Sequence, residues 1–360
     1  MASVEWGKYR IDDLFKIQTS AKRFDANKVN IIENGRYPYV VRTSSNNGQK
    51  GFLDENESFL NAGNTISFGQ DTATIFYQEK PYFTGDKIKV LVPKVYKFNK
   101  KNAQFFLASM NIAFSKFSWG SSRFNVDVLK EQVIMLPTKC DSIDFEFMES
   151  FIEELEAERI EELEAYLSVS GLKDTQLTAD ELSALDKFNS IKWKKFNLET
   201  LFGKSTRGKR LKGDDRIGGN LPFVTAGETD EGISAFISND VEIFSSNTTT
   251  IDMFGSAKYR NYNYGADDHI AVVHTENLSK YAAIFVTSAC HKSAHNGDFS
   301  YSRNFYAKDA DKLYISLPVK NEQHDYELMS TLISAIQKLV IADVVKFSDE
   351  KIKATKQVVG

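Results

Sequence analysis

What most constrains this chain is that it says one thing twice. Trp6 is followed by Leu14-Phe15, and Trp193 by Leu201-Phe202. Tyr37-Pro38-Tyr39-Val40 is answered by Leu221-Pro222-Phe223-Val224, Gly48 by Gly232, and Asn64-Thr65 by Asn247-Thr248. Asp86-Lys87-Ile88 returns as Asp268-His269-Ile270, Ser122-Arg123 as Ser302-Arg303, and Leu136-Pro137 as Leu317-Pro318. The offset drifts only between about 180 and 187, so insertions are small. Each copy runs into a long helical stretch, one from Asp144 to Leu167 and one from Asp325. Anchors repeated in one order predict two copies of one fold. The loops between them differ, as expected of a shared scaffold carrying divergent binding surfaces.

Within a copy, short β-rich runs alternate with turn chemistry. Strands are expected at Tyr37–Val41, Thr65–Phe68, Thr74–Tyr77, Lys87–Val92 and Gln132–Leu136, and a short helix at Ala103–Met110. That mixture predicts an α+β domain with a mixed sheet and short helices. The expected layout is a first domain over 1–140, a helical spacer over 141–190, a second domain over 191–320 and a closing helix over 321–360. In the spacer helices, apolar residues recur at helical spacing and include Met148, Ile152, Leu155 and Leu163, then Met329, Ile333, Ile336 and Val340. Packed antiparallel as a coiled coil, the two stripes would hide each other.

Charge bears on the partner. The net charge of −4 argues against a nucleic-acid binder, but it is unevenly spread. Between Asp141 and Leu167 eleven carboxylates face one arginine, a local −10, which leaves +6 for the remainder. A basic face elsewhere is therefore compatible with the mildly acidic whole. Cys140 and Cys290 are too few for a disulfide framework and suit a reducing cytoplasm. The N-terminus lacks the apolar run of a signal peptide, and no stretch reaches the roughly 20 apolar residues of a membrane span.

Catalytic patterns are incomplete. Gly203-Lys204-Ser205 lacks the upstream glycine of a phosphate loop, and Gly203 to Gly208-Lys209 continues into Arg210 where a magnesium-holding Ser or Thr is needed. Cys290, His291 and His295 lack a second ligand cluster for zinc. Asp86 with Lys87 and Lys89 lacks the second carboxylate of metal-assisted phosphodiester cleavage, and Asp268-His269-Ile270 loses both lysines. These two aspartates are expected to be structural. No cofactor or metal site is predicted.

The polar loops carry the residue types that contact bases and phosphates. In the first copy these are Lys22, Arg23, Arg42, Thr43, Ser44, Ser45, Asn46 and Asn47, then Ser121, Ser122, Arg123 and Asn125 beside Trp119. In the second they are Arg207, Lys209, Arg210, Thr225, Lys258, Tyr259, Arg260 and Asn261, then His291, Lys292, His295, Asn296 and Arg303. Any single one could simply coat a solvated loop; their grouping in corresponding loops favours a binding surface.

The opening Trp with Leu-Phe, the Pro-Tyr-Val strand running into Arg42-Thr43-Ser44-Ser45-Asn46-Asn47-Gly48, the Leu-Pro closure and the helix together resemble DNA-specificity subunits of type I restriction–modification systems. Glu158 to Gly171 (ERIEELEAYLSVSG) is most similar to subunits of BcgI-like type IIB systems. The resemblance implies two target-recognition domains reading a bipartite duplex, and no catalysis by this chain. It also implies docked methyltransferase subunits, fused to a nuclease in the BcgI-like case, which bind S-adenosylmethionine and magnesium. A nuclease acting alone and a paired scaffold for a glycan or peptide are the competing classes.

Overall fold

The computed structural model describes residues 4–115 and 126–359. The chain divides into two compact units, 1–162 and 163–360. The first comprises β1 (Glu5–Arg10), α1 (Ile11–Leu14), β2 (Phe15–Thr19), β3 (Tyr37–Val40), β4 (Gln49–Leu53), β5 (Thr65–Gly69), β6 (Ile75–Gln78), β7 (Phe83–Thr84) and β8 (Ile88–Pro93). There follow α2 (Ala103–Phe114), α3 (Val126–Glu131), the hairpin β9 (Val133–Lys139) and β10 (Ser142–Ile143), and the long α4 (Phe145–Val169), whose last residues from Leu163 belong to the second unit. The second unit contains α5 (Ala179–Asp186), β11 (Trp193–Asn197), α6 (Leu198–Phe202), β12 (Thr206–Arg207), β13 (Gly218–Val224), β14 (Ile233–Ile237), β15 (Thr248–Asp252), β16 (Ala257–Arg260), β17 (Gly265–Ala266) and β18 (Ile270–Val273). It closes with α7 (Lys280–Ala294), α8 (Ala307–Asp311), β19 (Tyr314–Lys320), β20 (Gln323–His324) and α9 (Tyr326–Val359).

The sheets repeat strand for strand. Orders β1-β9-β10, β2-β8-β5-β6 and β4-β3-β7 return as β11-β19-β20, β12-β18-β15-β16 and β14-β13-β17. In each unit one pairing, β3 with β7 or β13 with β17, is parallel. The sequence anchors meet across a ladder: Trp6 lies opposite Pro137, and Trp193 opposite Pro318. Each unit is thus closed by its own first and last strands.

The repeated Asn-Thr pairs explain themselves. Asn64 and Asn247 sit in the left-handed region, at φ 54° and 64°, which asparagine tolerates better than most residues. Asn64 Nδ2 donates to the Phe98 carbonyl at 3.1 Å, and Tyr77 OH donates to its Oδ1 at 3.0 Å. Asn247 repeats this with the Leu278 carbonyl at 2.8 Å and Tyr259 OH at 2.9 Å. Next door, Thr65 and Thr248 hydroxyls meet the buried Tyr82 and Tyr264 hydroxyls at 3.2 and 2.9 Å.

Both long helices begin inside a domain core. Met148 is buried with Phe15, Phe106 and Leu136 in the first unit, and Met329 with Val286, Cys290 and Leu317 in the second. Ile152, Leu163 and Ile333 are half-buried, while Leu155, Ile336 and Val340 are exposed, Val340 at 73 %. What covers α9 within its unit is partly α5, an element whose role the sequence did not show. Glu181 of α5 accepts from Ser334 Oγ at 2.6 Å and from Lys338 Nζ at 3.1 Å.

The expectation that no stretch is apolar enough to cross a membrane is corrected here. Tyr326–Ala354 reaches that length and apolarity. One face of it packs within the protein, with Met329, Leu332, Ala335 and Val345 buried and Ser348 Oγ donating to Glu164 at 3.4 Å, while Ile336, Leu339, Val340 and Phe347 are exposed.

Candidate nucleic-acid interface

The loops that follow β3, β5 and β7 converge with the segment after β2 at one end of the first unit. They enclose a cleft of about 840 Å³ lined by Arg23, Asp25, Tyr39, Arg42, Thr72 and Asp86, among others. Its wall is fixed by Tyr39, whose buried hydroxyl donates to the Phe24 carbonyl at 2.6 Å; burial pushes that phenol up to about 12. The cations there are already engaged. Arg23 Nη1 lies 3.2 Å from Asp86, and Asp71 receives both Arg42 Nη1 and Lys87 Nζ, the latter at 2.7 Å. The Lys87 hydrogen bond holds the Asp71 carboxyl below its usual range against the opposing effect of burial. Lys22 lies over the Phe24 and Phe59 rings, at 4.6 and 4.7 Å. Thr43 is half-buried, and Ser44, Ser45, Asn46 and Asn47 are exposed. Trp119, Ser121, Ser122, Arg123 and Asn125 lie outside the described residues.

The matching end of the second unit is electrostatically different. Lys204, Arg207, Lys209, Arg210 and Lys212 are all exposed. None of the five makes an ion pair among the described residues, so their charge is available to an anion. Gly208 sits in their midst for a steric reason: a Cβ there would lie 1.7 Å from the Ala266 carbonyl oxygen. The segment is held at its far end by Asp267, whose Oδ1 accepts from Leu211 N at 3.3 Å.

Several sequence-nominated residues occupy other settings. Lys258, Tyr259 and Arg260 form β16 rather than a loop. Lys258 Nζ donates to Ser256 Oγ at 2.9 Å and to Glu228 at 3.3 Å. Arg260 is 1 % exposed, its guanidinium spent inside the unit. Only Asn261, just beyond the strand, is exposed. His291 and Lys292 belong to the last turn of α7, not to a loop, because the helix runs through Ala294. His291 Nδ1 accepts from Ala257 N at 3.2 Å, and its ring stacks on His295 at 4.7 Å. Lys292, His295, Asn296 and Arg303 remain exposed, and Thr225 is half-buried. Sequence reasoning missed Asp252, which is buried and accepts from Phe254 N, Ser256 N and, at 3.3 Å, Gly227 N. It braces the loop after β13, and nothing in its local sequence marks it.

Two aspects of this geometry are chemical. The convergent ends offer cations, amides and hydroxyls, the groups that contact phosphates and base edges. They are also built twice on one scaffold with different residues. Comparison with known proteins agrees. The profile of the type I restriction modification DNA specificity domain matches residues 3–165 and 190–346, once per copy. Over 346 residues the chain is 26% identical to the specificity subunit S.BcgI of a type II restriction enzyme from Heyndrickxia coagulans, a match spanning 94% of this chain and 96% of that one. The crystal structure of a type I restriction-modification S subunit from M. genitalium shares the fold, with a TM-score of 0.62 at 17% identity over 99% of this chain and 95% of that one. The chain belongs to the type I restriction modification DNA specificity domain family.

Proposed function

We propose that this chain is the DNA-specificity subunit of a restriction–modification complex. It reads a bipartite duplex target, one half with each unit, and is non-catalytic itself. The observation that carries this is the exact-order duplication of the sheets beneath loops of unlike chemistry. Equal scaffolds with unequal loops read two different half-sites.

The long helices fit the role of spacers. A helix of 25 residues is about 38 Å long at ~1.5 Å per residue, close to the ~34–36 Å between half-sites one turn apart. We place α4 and α9 side by side as an antiparallel pair. The buried Leu167 and Val345, and the Glu164–Ser348 hydrogen bond, support contact where α4 ends. Catalysis belongs to docked methyltransferase subunits, with or without a fused nuclease, which supply S-adenosylmethionine and magnesium binding in the cytoplasm. The domain boundaries near 140, 190 and 320 mark where recognition gives way to spacing.

The test is selection of duplexes by the purified full chain from a randomised pool. Two blocks of preferred bases separated by an indifferent spacer are expected, with binding that weakens steeply as salt rises. A single block, or binding competed by a glycan or peptide but not by DNA, would overturn the proposal. Cleavage by the chain alone with magnesium would instead favour a nuclease.

A further inference from the structure

The loop after β3 and the loop after β13 are both closed by unusual backbone. Asn46 and Asn47 are consecutive left-handed residues at φ 49° and 52°, followed by Gly48 at 75°. Asp230, Glu231 and Gly232 repeat this at 48°, 55° and 80°. Non-glycine residues pay for that conformation and keep it only where surrounding bonds enforce it. One enforcing bond is between backbones: Val41 N donates to the Gly48 carbonyl, and Thr225 N to the Gly232 carbonyl, both at 2.8 Å.

A second comes from a side chain of the neighbouring strand and differs between the copies, while in the first unit Asn47 Nδ2 also donates to the Tyr77 carbonyl at 3.0 Å. In the first unit Gln78 lies opposite Thr65 in the β5–β6 ladder. Its Nε2 donates to Ser67 Oγ at 3.0 Å and to the Asn47 carbonyl at 3.1 Å. In the second unit Arg260 lies opposite Thr248, the same register position. Its Nε donates to Thr250 Oγ1 at 2.9 Å and its Nη1 to the Glu231 carbonyl at 2.9 Å. The partners correspond one for one: a hydroxyl on the adjoining strand, and the carbonyl of the last left-handed residue before the glycine. Both latching side chains are buried, so neither reaches a ligand. Arg260 makes no carboxylate ion pair among the described residues; Tyr262 OH at 3.0 Å supplies a further polar partner.

We propose that Gln78 and Arg260 are positioning residues for sequence recognition: each latches the reading loop of its own unit, and the base preference of that half-site depends on it without direct contact. This rests on the DNA-reading function proposed above. Each loop carries candidate contact groups, Arg42 to Asn46 in one case and the Thr225–Asp230 stretch in the other. Without its latch the left-handed pair relaxes, the loop samples several conformations, and the contacts lose their fixed aim.

The experiment compares Gln78→Leu and Arg260→Met with the wild-type full chain, selecting from a randomised duplex pool. Each variant's melting temperature is recorded alongside. Gln78→Leu is expected to flatten discrimination at one or more positions of one half-site by about tenfold, leaving the other half unchanged. Arg260→Met is expected to do the same in the opposite half. Arg260→Lys keeps the charge but loses the forked geometry, and is expected to fall in between. Where a variant fails to fold, Ser67→Ala or Thr250→Val removes the strand-side partner instead and carries the same expectation. Folded variants that select the wild-type sequence in both halves, or that weaken binding to all sequences alike, overturn the inference. A wild-type chain that selects no bipartite sequence overturns the function beneath it.

Discussion

Replacing Arg207, Lys209 and Arg210 together with glutamine should separate the two units electrostatically. In the second unit five exposed cations between residues 204 and 212 stand free of ion pairs among the described residues. In the first, Arg23 pairs with Asp86, and Arg42 and Lys87 share Asp71, so all three cations already face carboxylates. Each phosphate contact adds about 0.9 to the negative slope of log affinity against log salt. Losing three should reduce that slope by about 2.7, which over a fourfold rise in salt amounts to about 40-fold less loss of affinity. Replacing Arg23 and Arg42 should reduce it by less than about one, because each must leave a carboxylate before meeting a phosphate. Fluorescence anisotropy on a labelled duplex across a salt series reads both. An unchanged slope in the triple variant would remove the segment from the phosphate backbone. A larger change from the first-unit pair would reverse the assignment.

Three further outcomes follow from the packing. Burial pushes the Glu181 carboxyl up, but hydrogen bonds from Ser334, the Thr178 amide and Lys338 outweigh it and bring it down to about 2. A carboxyl depressed in the folded state stabilises above its unfolded value and loses that contribution as pH falls towards about 2. Glu181→Gln should therefore cost about 2–3 kcal/mol near neutral pH by denaturant titration, with the gap closing in acid; a gap constant with pH contradicts this. Gly232→Ala should destabilise more than Gly48→Ala in calorimetry. A Cβ at 232 meets the Thr225 carbonyl oxygen at 2.6 Å, whereas at 48 it meets side chains, the Phe76 ring at 3.0 Å and Val40 at 3.3 Å. Asn64→Ala and Asn247→Ala should each lower stability by about 2–4 kcal/mol, from the left-handed backbone and the lost side-chain hydrogen bonds, two at Asn64 and more at Asn247; equal melting temperatures for variant and parent would refute that.

What the sequence made legible was whatever the two copies kept in identical type. Trp6 and Trp193, Leu136-Pro137 and Leu317-Pro318, and the Asn-Thr pairs are paired or bonded alike in both units, and their repetition announced the fold. Illegible were roles preserved through different residues. Gln78 and Arg260 bond corresponding groups yet share no chemical class, and only ladder register equates them. In isolation Arg260 resembled a phosphate contact, because composition does not distinguish a solvated guanidinium from one turned inward. Long-range satisfaction was hidden for the same reason. Glu181 and Ser334 are 153 residues apart, and nothing local in α5 points to α9. The His291–His295 pair looked like a loop because its polar residues end a helix whose apolar face, through Cys290 and Ala294, faces the core.

The most direct measurement is an exchange of residues 191–320 for the corresponding region of another family member, followed by mapping the methylated sequence in complex with the partner subunits. Two independent reading units predict that one half of the target changes to the donor's while the other half and the spacing persist. A change in both halves, or in neither, would contradict it.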